Sequence, residues 1–116
     1  MNFGGKAVYL CCGATDLRKS FNGLLMIVKH SFELDPFTGA LFVFCNKKRG
    51  MIKILEWDTD GFWLYCKRLE KGCFKWPQVI NEPTMTLTGE DLHMLLGGVR
   101  VELKIKRNEV LERNIS

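Results

Sequence analysis

Apolar and polar positions alternate along this chain with two different periods. Ala7–Cys12 (AVYLCC) is almost wholly apolar and ends at a glycine, the form of a short buried strand. The turn GATD follows, and Thr15 or Asp16 is suited to cap a helix, because their oxygens accept the unbonded N–H groups of a first turn. Leu17, Phe21, Leu24, Leu25, Val28 and Phe32 then recur at steps of three and four, which predicts one helix over Asp16–Phe32 with a single apolar stripe. Arg18, Lys19, Asn22 and Lys29 lie off that stripe.

The period then changes to two. After the turn DPFTG (Asp35–Gly39), the segments ALFVFCN, MIKILEW, FWLYCKRL and CFKW read as successive strands. KKRG, DTDG and EKG separate them as turns, and Pro77 stops the last. Residues 78–87 read as a linking loop. TGED (Thr88–Asp91) is a capping box with Asp in place of Glu, opening a short helix through Leu96 that Gly97 and Gly98 close. VRVELKIK, residues 99–106, alternates without fault and predicts a half-buried strand. The expected fold is α+β, one domain over residues 1–116. An antiparallel meander packs against one long N-terminal helix, with a short second helix and a further strand near the C-terminus. Residues 107–116 are polar enough to fray.

Composition narrows the function. The net charge is +4, and the surplus falls in residues 41–80, which hold eight basic and four acidic side chains. A clustered surplus attracts polyanions. The five cysteines are odd in number and show no CxxC spacing, so they predict reduced, mostly buried thiols. No apolar run is long enough to span a bilayer and the N-terminus has no signal-peptide pattern, so a cytoplasmic protein is expected.

No catalytic constellation emerges, and no cofactor or metal is expected. Asp58 and Asp60 flank Thr59 in a turn, where Asp is favoured for conformational reasons. His30 and His93 lack a spaced nucleophile or acid, and GGK (Gly4–Lys6) lacks the rest of a phosphate loop. In the aromatic stretch from Trp57 to Pro77, one register places Trp57, Trp63 and Tyr65 beside Lys53 and Lys67, a platform for unpaired bases. The other reading puts these rings under the helix as core, with lysine stems at the rim.

The motifs match a pattern in combination. They are Thr15-Asp16-x-Arg18-Lys19 with Gly23; Asp35-Pro36-Phe37-x-Gly39; Phe42-x-Phe44; Ile52-Lys53-x-Leu55; Asp58 with Gly61; Lys67-Arg68-Leu69-Glu70-x-Gly72; and Trp76-Pro77. From about Ala7 to Leu96 the chain resembles the TnpB-type accessory protein of the bacterial insertion-sequence family numbered sixty-six, which is unrelated to the RNA-guided nucleases of the same name. Ser20, Gly50 and Cys73 depart from that pattern without breaking its glycine and proline framework.

The resemblance implies a non-catalytic protein that assists a separately encoded transposase. The basic residues add a candidate mechanism, namely contacts to the backbone of element DNA from Arg18, Lys19, Lys47, Lys48, Arg49, Lys53, Lys67, Arg68 and Lys71. The alternative is an adaptor that docks the transposase or a sister accessory protein through an aromatic patch at Trp57, Trp63 and Trp76 and touches no DNA. A third reading is a metal nuclease using Asp16, Asp58 and Asp60.

Overall fold

The two most continuously apolar segments lie side by side within the sheet. In the computed structural model, which describes residues 4–79 and 81–99, Val8–Cys11 forms β1 and Leu41–Cys45 forms β2. Met51–Asp58 forms β3, Gly61–Arg68 forms β4 and Thr84–Leu87 forms β5, in the spatial order β4-β3-β2-β1-β5. β2 is buried at every position, as expected of a strand covered on both faces.

The β2–β3–β4 meander is antiparallel as predicted, with β3 and β4 in register from Met51↔Arg68 to Asp58↔Gly61. The sheet as a whole is mixed, because β1 runs parallel to β2 (Val8↔Leu41). Parallel neighbours need a long crossover between them, and the helical segment between β1 and β2 supplies it. β5 then returns to the free side of β1, antiparallel, with Val8↔Leu87 and Cys11↔Thr84.

Several expected elements are corrected. The long helix over Asp16–Phe32 is instead α1, Phe21–Met26, continued by a wider π turn over Ile27–Ser31. It starts late because the Asp16 carboxylate folds back on Arg18, accepting from the backbone N–H at 3.0 Å and from Nε at 2.9 Å. Such local bonding competes with helix. Leu17 is buried without being helical, and Phe21 stays 41% exposed. Cys73–Trp76 is irregular rather than a strand, and the expected loop over residues 78–87 contains β5. The second helix, α2, spans Gly89–Leu96 and opens with both arms of its Thr88–Asp91 capping box in place. The predicted strand over residues 99–106, apart from its first residue, and the tail over 107–116 lie outside the described residues.

Each face of the sheet has its own core. On one face Leu24 and Val28 of the helix, with Leu17, cover Phe42, Phe44 and Leu55. On the other, Leu92 and Leu95 of α2 join Phe74 and Trp76 over Leu10, Val43, Ile52 and Ile54. Irregular residues 73–77 thus contribute two large side chains, Phe74 and Trp76, to this second core.

Candidate nucleic-acid interface

Sheet register decides where the cations go. The turn between β2 and β3 carries Lys47, Lys48 and Arg49, and Asn46 closes it by accepting from Gly50 N–H at 3.0 Å and Met51 N–H at 3.1 Å. β4 ends at the same end of the sheet, since Met51 pairs with Arg68. The chain beyond it is tied down there: Leu69 N–H donates to Gly50 O at 2.8 Å, and Phe74 N–H to Arg49 O at 2.7 Å. The two basic turns therefore meet. β1 also ends here, because Thr15 N–H donates to Cys45 O at 2.8 Å, which brings Arg18 and Lys19 to the flank.

The cations at this pole are not equivalent. Lys47, Lys48 and Lys71 are exposed and form no ion pair among the described residues; Lys19 is exposed too, but its charge also acts on the Asp16 carboxylate. Lys53 is half-buried and bonds Leu17 O at 2.6 Å, so it ties the helical layer to the sheet and does not face outward. Lys67 donates to Leu96 O at 2.6 Å, at the C-terminus of α2 where a cation suits the helix dipole. Arg18 holds Asp16 at 2.9 Å; its guanidinium keeps that carboxyl down at about 2. Arg68 lies 3.5 Å from Glu70. Arg49 is half-buried, with its guanidinium 5.8 Å from the Trp76 ring centre and φ at 62°. Lys75 belongs to this pole as well, exposed between buried Phe74 and Trp76. Lys75 is not among the candidate contacts that the sequence suggests, although the alternation of residues 73–76 marks it as outward.

Acids gather at the other end. The Asp58–Asp60 turn joins β3 to β4 there, and Glu90 and Asp91 sit in the first turn of α2, just after Leu87 pairs with Val8. At the cationic pole the described acids are Asp16, Glu70 and, beyond β1 on the far flank, Glu82. This separation overturns Asp16, Asp58 and Asp60 as a joint site: an eight-residue strand, β3, spaces the two ends by about 24 Å. Among the described residues no group of three His, Cys, Asp or Glu is placed to hold a metal.

The three tryptophans do not share a patch. Trp76 is 5% exposed and donates its indole N–H to Cys11 O at 3.0 Å. Trp57 is on the α1 face, edge-on to Phe37 at 5.1 Å and Phe62 at 4.9 Å. Trp63 is on the α2 face, 54% exposed, stacked on Tyr65 at 6.1 Å. The platform of Trp57, Trp63 and Tyr65 thus fails by a single parity: paired positions share a face, and Trp57 pairs with Phe62 while Trp63 pairs with Glu56. Glu56 is 7% exposed, accepting from Tyr65 Oη at 2.8 Å and Lys6 Nζ at 2.8 Å. Burial, with help from Glu56, pushes the Tyr65 phenol up to about 12. Of the five thiols Cys11, Cys12 and Cys45 are buried, and burial raises the Cys45 thiol; Cys66 and Cys73 are exposed.

Fold and charge together define a small α+β protein with a cationic pole, whose described part has no helix long and apolar enough to cross a membrane. The chain belongs to the family described as IS66 Orf2 like protein, whose profile matches residues 6–106. That family is a transposition-associated accessory family and not a known catalytic one. The chain is also 33% identical over 92 residues to the uncharacterized protein y4hO of Sinorhizobium fredii (strain NBRC 101917 / NGR234), covering 79% of each. It is 30% identical over 95 residues to the uncharacterized protein y4jC of the same strain, covering 82% of this chain and 80% of the relative. No solved structure matches it.

Proposed function

We propose that this protein assists transposition by gripping the phosphate backbone of element DNA with its cationic pole, led by Lys47, Lys48, Lys71 and Lys75, and with Lys19 and Arg68 at the margin. The observation that carries this reading is the meeting of the two basic turns through Met51↔Arg68 and the bonds to Arg49 O and Gly50 O. Outward ammonium groups without acidic partners release counterions from a duplex when they bind, and such contacts carry little base specificity. The protein does no bond-breaking in this reading; it holds DNA for the separately encoded transposase. A mobility-shift titration with duplex from an element end tests it. Binding at low salt that weakens steeply toward physiological salt is expected, and no shift at low salt ends the reading.

An adaptor role keeps a narrower footing. Trp63 is the one tryptophan with more than half its surface exposed. Docking of the transposase by aromatic contact would therefore centre on Trp63 and Tyr65, without Trp57 or Trp76. Full co-purification of the transposase with a Trp63→Ala variant would count against that role.

A further inference from the structure

β4 forms an edge of the sheet. It pairs with β3 along one side, and no described residue pairs with the other. Proteins usually blunt such edges with proline, a bulge, a central charge or a very short strand. Gly61–Cys66 shows none of these: its register with β3 is unbroken, and the first charge is Lys67. Trp63 stands exposed beside it, stacked on Tyr65.

The charges flanking the strand indicate what covers it. Asp58 and Asp60 precede it; Lys67, Arg68 and Lys71 follow, with Glu70 the single acid among them. A strand charged in this way complements itself only when reversed, since pairing like ends would set acids against acids. We propose that β4 pairs antiparallel with β4 of a second copy of this chain, joining the two described five-stranded sheets about a two-fold axis at Leu64. That register sets Leu64 against Leu64, Trp63 against Tyr65 of the second copy, and Asp60 against Arg68 of the second copy. The Leu64 and Trp63–Tyr65 pairs each keep both members on one face, Asp60 in the turn just before β4 comes opposite Arg68, and aromatic and opposite-charge pairs across strands both favour association. The exchange costs little inside each copy. Arg68 gives up only a 3.5 Å contact with Glu70, both side chains being well exposed, and the Asp60 carboxylate holds no bond among the described residues. One added strand pair buries a small interface, so dimerisation is concentration-dependent.

Sedimentation equilibrium of the full chain without DNA or transposase tests this separately from the DNA reading. A monomer–dimer equilibrium is expected. Arg68→Asp should weaken it at least tenfold, and adding Asp60→Arg should restore it, because the swap rebuilds both ion pairs. In a Cys66→Ser, Cys73→Ser background, Leu64→Cys should form an intermolecular disulfide on mild oxidation with glutathione disulfide. A monomer at every concentration overturns the proposal. So does a dimer that neither responds to Arg68→Asp nor cross-links at position 64. If the β4 amides of a monomer are protected from hydrogen exchange, the chain's own remaining residues cover the edge and the second copy is excluded.

Discussion

Replacing Lys47, Lys48 and Lys71 by Gln removes three outward charges from one pole. None of the three makes a bond among the described residues, so the fold should survive within about 0.5 kcal/mol, as for ordinary surface changes. Each phosphate contact contributes about 0.9 to the slope of log affinity against log salt, so loss of three should flatten it by about 2.7. At 0.1 M salt the same change lowers affinity by up to ~500-fold. Fluorescence anisotropy with a labelled duplex, at salt concentrations from about 50 to 200 mM, measures both quantities. The control is Lys29→Gln. Lys29 lies over the Phe37 ring at 5.5 Å, and Phe37 packs on Trp57 at the acidic end of β3. Removing that charge should leave the slope unchanged. An unaltered slope in the triple variant refutes the reasoning, as does an equal loss per charge at Lys29, which would mean that net charge alone attracts DNA.

Other outcomes follow from single contacts. Thr59, a β-branched residue, is held at φ 52° in the β3–β4 turn, so Thr59→Gly should raise stability by about 1 kcal/mol in urea melts. Trp76→Phe leaves Cys11 O without its indole donor and weakens the stack under Arg49; a loss of about 1–3 kcal/mol is expected by the same method. Tyr65 ionises at about 12 when folded against 10.0 ordinarily, so its contribution is whole below pH 10 and is lost as pH rises toward 12. Tyr65→Phe should be less stable at neutral pH, losing the bond to Glu56, yet show a flatter alkaline limb in urea melts on either side of pH 10.

Local signals and pairing signals were legible to different degrees. The capping box at Thr88 and the β2–β3–β4 meander follow from neighbouring residues, and both formed as read. The parallel β1–β2 pair departs from the expected all-antiparallel meander, although strand, helix, strand is the ordinary signature of parallel pairing. β5 gives little signal in the sequence because Thr84–Leu87 is short, half polar and pressed between Pro83 and the Thr88 cap. Asp16 misled the helix start: a residue that caps helices also bonds its own neighbours, and here Arg18 took it. The cationic residues were visible one by one, but their union depended on register, and a shift of one residue separates Trp57 from Trp63.

The place of β1 between β2 and β5 bears on biosynthesis. Val8 leaves the ribosome early, yet one of its neighbours, Leu87, emerges on the order of ten seconds later at ordinary elongation rates. Until then the nascent chain carries an apolar strand open along one side. A reading frame truncated before Thr84 would leave that side open permanently, so fragments of this gene product should be prone to clump and to rapid proteolytic clearance.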